Sequence, residues 1–206
     1  MDATNEIEQK YYQSLYEVAS AVNSARDPSD VLRTMVEMVA RVMEAKGCSL
    51  MLLAPDKKML VHRTAFGLSD RYMRKGPVSA DRSIAEGLQG RPVAILKAAD
   101  DERIQYRKQA REEGIASILS VPVTLKDEVV GVIRVYTGET RHFSATDTFF
   151  VGAVANLGAI ALENASLREA REKEYRSLQE DMAEWTAALG WEWMAQDTVV
   201  PSREQD

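Results

Sequence analysis

GIASILSVPVTLKDEVVGVIRVY, residues 114 to 136, decides the fold. Two apolar runs flank Lys126-Asp127, and the short polar pair between them reads as the turn of an antiparallel hairpin. Pro122 within the first run predicts a bulge or a position where no N–H is needed. In the second run, strict alternation puts Val130, Val132, Arg134 and Tyr136 on one face. Val129, Gly131, Ile133 and Val135 fall on the other. A guanidinium in mid-strand is the unusual feature, because a buried charge needs partners.

The rest of the fold reads outward from this hairpin. CSLMLLA, residues 48–54, is a short apolar run between Gly47 and Pro55-Asp56, hence a buried strand. MLVHRTAFG, 59–67, is its antiparallel partner, with His62 sharing a face with Leu60 and Thr64. Upstream, Ile7, Tyr11, Leu15, Val18 and Val22 recur at helical spacing over residues 5–25. Asp27 then reads as an N-cap, with Pro28 as first helical residue. The helix it opens carries Val31, Met35, Met38, Val39, Val42 and Met43 inward and stops at Gly47. In the middle, Gly76-Pro77 breaks the chain, SIAEGLQG predicts a two-turn helix, RPVAIL a short strand, and residues 100–113 a charged helix ended by Gly114. Downstream, Ser144 reads as an N-cap with Asp147 at the third helical position. That helix can run to about residue 189, longer than an ordinary globular helix. No βαβ alternation is present, so the expected class is α+β, an antiparallel sheet with helices on one face.

The chain has 206 residues, which predicts one domain with extensions: 1–165, a helical extension over 166–190, and a tail over 191–206. A net charge of −6 with mixed signs gives no basic footprint and predicts no nucleic-acid partner. The single cysteine, Cys48, excludes an intrachain disulfide and a multi-cysteine metal site, and cytoplasmic residence is expected. The polar N-terminus lacks an apolar signal core, and no apolar run approaches the ~20 residues of a membrane helix, so no membrane association is expected.

Four stretches in this order resemble the GAF domain family, a relative of the PAS fold. GCSLMLLAPDKKMLVHRTAFGL resembles its first hairpin and SIAEGLQGRPVAIL its helix, glycine, Arg-Pro, strand segment. GIASILSVPVTLKDEVVGVIRVY resembles its central hairpin, and HFSATDTFFVGAVANLGAIALENA its closing helix. The resemblance spans about residues 11–165. It implies a five- or six-stranded antiparallel sheet with terminal helices on one face and a small-molecule pocket on the other. Cyclic-nucleotide-binding members carry Asn-Lys, then Phe, three residues, and Asp-Glu. Here Thr137-Gly138 stand for Asn-Lys, Phe143 and Asp147 match, and Thr148 replaces the Glu. Phe143 and Asp147 also suit an aromatic before an N-cap and a carboxylate at a helix N-terminus.

The candidate ligand-binding residues are Arg134, Tyr136, Met51, His62, Phe143 and Asp147. Arg134 can clamp a carboxylate or phosphate, or it can serve an internal ion pair. His62 and His142 stand without a Cys/His/carboxylate cluster, so neither a metal nor a haem is expected, and no cofactor is named by the pattern. Asp100-Asp101-Glu102 suits a helix N-terminus rather than a metal. Free methionine-R-sulfoxide reductases share the architecture, but thiol exchange requires several cysteines. No enzymatic function is expected.

Tyr175, Leu178, Met182, Trp185 and Leu189 step at heptad spacing, and Trp191 and Trp193 follow. These seven are the candidate dimer and partner residues, since clustered aromatics are seldom left in water. Two functional readings follow. The first is a homodimeric sensory domain that binds a small molecule and signals through its terminal helices to a protein partner. The second is a degenerate domain acting as a dimerisation and interaction scaffold without ligand.

Overall fold

The computed structural model describes residues 3–24, 27–80 and 89–188. The chain divides into two units, Met1–Asn164 and Ala165–Asp206. The elements of the first are α1 (Ala3–Ser24), α2 (Pro28–Val42), β1 (Gly47–Leu53), β2 (Met59–Phe66), α3 (Asp70–Met73), β3 (Val78–Ser79), β4 (Val93–Ile95), α4 (Arg107–Glu112), β5 (Ser117–Leu125), β6 (Glu128–Thr137) and the start of α5 (Ala145–Ala188).

The strands form one antiparallel six-stranded sheet in the order β3-β2-β1-β6-β5-β4. Its centre, β1 beside β6, is built from the two most continuously apolar runs. Helices cover one face. Leu32, Met35 and Val39 of α2, with Phe150, Val151 and Val154 of α5, pack on Cys48, Leu50, Leu119, Val121, Ile133 and Val135. Each fully buried side chain of this size contributes about 1.5–3 kcal/mol. Tyr11 of α1 stacks on Phe150, with ring centroids 4.2 Å apart. Smaller clusters occupy the opposite face. One joins Tyr72, Ile95, Ile118 and Tyr136; the other joins Met51, Leu60, Val78 and Val132.

Local chemistry explains most boundaries. Asp27 caps α2 through the Ser29 N–H at 2.7 Å, and Pro28 opens it. Lys126 and Asp127 have φ of 49° and 66°, the left-handed pair whose twist suits a two-residue hairpin. β4 ends opposite Ser120, so at Pro122 β5 is locally an edge strand and the missing N–H leaves no β4 carbonyl waiting.

Several expectations change. Helix α2 ends at Val42, and the left-handed residue beyond it is Glu44, φ 51°. Gly47 instead opens β1, where a Cβ would lie 2.6 Å from the Phe66 carbonyl oxygen. Of residues 100–113 only Arg107–Glu112 is helical. Asp101 accepts from the Arg103 backbone N–H at 2.9 Å and from its guanidinium at 2.7 Å, so its side chain competes with helical bonding. The SIAEGLQG helix falls mostly within residues 81–88, outside the described residues.

Two register shifts break the simple alternation. Leu50 pairs with Thr64 but Met51 pairs with His62, so Arg63 is the extra residue in β2. His62 therefore keeps company with Leu60 and Met51, whereas Thr64 and Phe66 turn to the helix side, opposite Leu50 and Cys48. Likewise Val123 pairs with Gly131 but Thr124 with Val129, which makes Val130 a bulge that packs on the helix-side core rather than beside Arg134. At Gly131 the β1 backbone comes so close that a Cβ would stand 2.3 Å from the Met51 carbonyl oxygen.

Contrary to expectation, among the described residues one helix, α5, is long and apolar enough to cross a membrane over an 18-residue window of mean hydropathy 1.4. Within the fold 44% of that window is buried, and its apolar residues close the helix-side core. In the second unit, Leu167, Tyr175, Leu178, Met182 and Trp185 are exposed along the helix. Leu189, Trp191 and Trp193 lie outside the described residues.

Candidate functional site

Arg134 lies on the sheet face opposite α1, α2 and α5, and is 5% exposed. Its β1 and β5 partners are Ser49 and Ser120, both small and polar. Short neighbours leave lateral room for a guanidinium that a pair of Val or Leu side chains would fill. Two residues along β6, Tyr136 is buried with its hydroxyl 3.0 Å from Ser49 Oγ. Met51, fully buried, continues this face on β1.

A roof of short elements covers it. Ser69 caps α3 by accepting from the Tyr72 N–H at 3.2 Å. Glu113, just past α4, accepts from the Ser69 N–H at 2.8 Å and from the Ser69 hydroxyl, so α3 is tied to the end of α4. This places Tyr72 edge-on to Tyr136, with centroids 6.0 Å apart. It also places the Lys75 ammonium 3.7 Å from the centre of the Tyr72 ring. Lys75 Nζ donates to the Tyr72 carbonyl at 3.2 Å and lies 2.9 Å from His62 Nε2. Tyr106 further fixes the roof by donating to the Pro77 carbonyl at 2.9 Å.

Burial and like charge shape the titrations. His62 is pushed down to about 4, first by burial and then by the positive charges of Lys75 and Arg134. Lys75 is pushed down to about 8 by burial and by Arg134, with Glu113 opposing. Burial raises both Tyr72 and Tyr136, so their hydroxyls stay protonated. At neutral pH this region thus presents a neutral imidazole beside the Lys75 ammonium, with the Arg134 cation and two phenols nearby. It is an arrangement suited to receiving a polar, electron-rich group.

Of the six sequence candidates, Arg134, Tyr136, Met51 and His62 are brought to one face. Phe143 and Asp147 are not among them. Phe143 packs against the helix-side core. Asp147 is 5% exposed at the start of α5. It accepts from the Tyr11 hydroxyl at 2.6 Å, from Arg141 at 3.0 Å and from the Ser144 N–H at 2.9 Å, while Ser144 Oγ returns a bond to the Asp147 N–H at 3.0 Å. These bonds form a capping box joined to α1, and they employ the carboxylate fully. Sequence reading missed Lys75, Tyr72 and Ser49. The available signal was Ser69-Asp70, an N-cap that predicts a helix over Tyr72. His142 is exposed, and among the described residues no group of three metal-ligating side chains occurs.

With this geometry in view, the family model for the GAF domain matches residues 25–163. The chain is a GAF-domain protein. The GAF domain of a phosphoenolpyruvate-protein phosphotransferase from Coxiella burnetii is similar at TM-score 0.71 and 19% identity, covering 79% of this chain and 98% of that one. A free methionine-R-sulfoxide reductase from Neisseria meningitidis, in complex with its substrate, is similar at TM-score 0.65 and 15% identity, covering 77% and 91%. A segment of a methyl-accepting chemotaxis protein is similar at TM-score 0.61 and 18% identity, covering 74% and 99%. At these identities the likeness shows the GAF fold. No protein of curated function matches the sequence.

Proposed function

We propose that this GAF-domain protein is a regulatory sensor. It binds a small molecule between the Arg134 face of the sheet and the α3–α4 roof, and passes occupancy through α1 and α5 to a protein partner. The observation that carries this reading is the polar set of Ser49, His62, Arg134 and Tyr136 on a face where a purely structural sheet would place packed apolar side chains, with Lys75 of the roof against His62. The roof elements are short and joined by a few polar bonds, so a guest could move them at small cost. Catalysis is not part of the proposal. Cys48 lies fully buried in the helix-side core, and burial raises its thiol, so it offers no thiolate for exchange chemistry.

A second reading rests on a different observation. A groove of about 370 Å³ between α1 and α5 is lined by Tyr12, Leu15, Phe149 and Phe150. Tyr12 and Phe149 are 68% and 69% exposed, and Tyr16 beside them 76%. A second copy of the chain would cover this apolar strip, and such a homodimer is compatible with either the sensor or a ligand-free scaffold. Native mass spectrometry of the purified protein, with a denatured control, tests both readings. A bound species lost on denaturation supports the sensor. A clean protein mass, together with no thermal shift across a panel of small metabolites, leaves the scaffold.

A further inference from the structure

The Lys75–His62 contact fixes a proton. An ammonium has donors only, so across the 2.9 Å contact His62 Nε2 must accept. The imidazole is neutral at ordinary pH, with its titration pushed down to about 4, and its single proton is therefore on Nδ1. His62 Nδ1 is buried and has no hydrogen-bond partner among the described residues. His62 thus offers a buried N–H donor without an acceptor among the described residues. Lys75 has a similar surplus, since the Tyr72 carbonyl and His62 use two of its three N–H bonds.

The surroundings decide what could satisfy them. Among the described residues the charged and titratable groups facing Lys75 are His62 of β2, Tyr72 of α3, Arg134 of β6, and Glu113 beyond α4, with Tyr136 next to Tyr72. Glu113 is engaged by the Ser69 N–H and hydroxyl. Among the described residues no carboxylate forms an ion pair with Lys75, whose Nζ partners there are the imidazole and the Tyr72 carbonyl. A buried imidazole N–H and an ammonium with an N–H to spare favour a guest that brings acceptors and negative charge.

We propose that the Lys75–His62 pair receives the head group of the ligand and is built for an oxyanion, a carboxylate or phosphate that accepts from the Lys75 ammonium and from His62 Nδ1–H. The proposal rests on the sensor reading above and adds the chemical class of its ligand. Because the Lys75 amine loses its proton through about 8, binding should be full below that pH and fall as pH rises past it.

The test is a titration of the full chain with sodium acetate and, separately, inorganic phosphate. The readout is the His62 imidazole nitrogen shifts by NMR, with sodium chloride as the ionic-strength control. Acetate keeps its charge at both about pH 6.5 and about pH 9.5, and its affinity should weaken on the order of tenfold between them. A saturable Nδ1 shift with acetate but not phosphate assigns a carboxylate; the reverse assigns a phosphate. K75Q should abolish the response, while K75R should retain binding and lose its fall at high pH. No saturable shift with either anion, or an undiminished response in folded K75Q, overturns the proposal. A neutral molecule found bound in native mass spectrometry also overturns it, while leaving the sensor reading standing.

Discussion

Removing the Asp147 carboxylate should weaken the fold substantially, although the residue sits at a helix terminus where substitutions are often mild. Its two oxygens serve three donors: the Tyr11 hydroxyl at 2.6 Å, Arg141 at 3.0 Å and the Ser144 N–H at 2.9 Å. In D147A the Ser144 Oγ cap on the residue-147 N–H remains, but the reciprocal bond from the Ser144 N–H to the carboxylate is lost, which costs about 1 kcal/mol. Tyr11 is 5% exposed, and burial with its carboxylate partner holds its hydroxyl protonated, so the substitution strands a buried donor at about 1–3 kcal/mol. The Arg141 side chain is 32% exposed, and its share is about 0–1 kcal/mol. Together these give about 3 kcal/mol, or a Tm lowered by about 6–12 °C for a domain of this size. Urea denaturation followed by circular dichroism measures it. Y11F removes the stranded donor in advance, so Y11F/D147A should cost about 1 kcal/mol less than the two single changes added. A D147A stability within about 0.5 kcal/mol of wild type, or strict additivity of the pair, would refute the reasoning.

Three further outcomes are expected. His62 titrates near 4 in the fold against an ordinary 6.5, so the stability tied to its neutral form is complete above 6.5 and is lost as pH falls towards about 4; denaturant midpoints of wild type should drop across that window more than those of H62Q. In G131A the new Cβ would meet the Met51 carbonyl at 2.3 Å, and because neither backbone can yield without breaking the β1–β6 ladder, a loss of several kcal/mol is expected in chemical denaturation, with a G131A midpoint equal to wild type arguing against the close approach. In the homodimer proposed above, replacing Tyr12 and Phe149 with Ser should shift the protein towards monomer in analytical ultracentrifugation with little change in Tm, and a persisting dimer, or a wild type that is already monomeric, argues against the α1–α5 groove as an interface.

The hairpins, the capped helices and the order of elements were legible because each is encoded locally. Asp27-Pro28 carries its cap in adjacent residues, and Lys126-Asp127 its turn. The faces were legible only as far as the pleat stayed regular. Nothing around Arg63 announces an extra residue, so Thr64 reads onto the face of His62 although the structure turns it to the helices. At Val130 a signal existed, since the neighbouring Gly131 marks a close backbone approach. The heptad stripe over Tyr175 to Trp185 was legible as a pattern, and the helix exists, but a pattern does not name what covers it.

Arg134 and Lys75 show why half of the candidate site stayed hidden. Arg134 stood out because a charge within an apolar strand is anomalous in its own segment. Lys75 stands in the polar stretch before Gly76-Pro77, where a lysine is ordinary, and becomes unusual only when the Ser69 cap and Glu113 fold α3 over the sheet. Its depressed titration arises from burial and from Arg134, a residue far away in the sequence. The anomaly is therefore a property of the pair rather than of either segment. The same logic applies to His62, whose orphaned Nδ1 proton follows only once Lys75 is seen to occupy Nε2. A binding site assembled from a strand and its roof exposes to sequence reading the member that violates its local context, and conceals the members that become exceptional through contact.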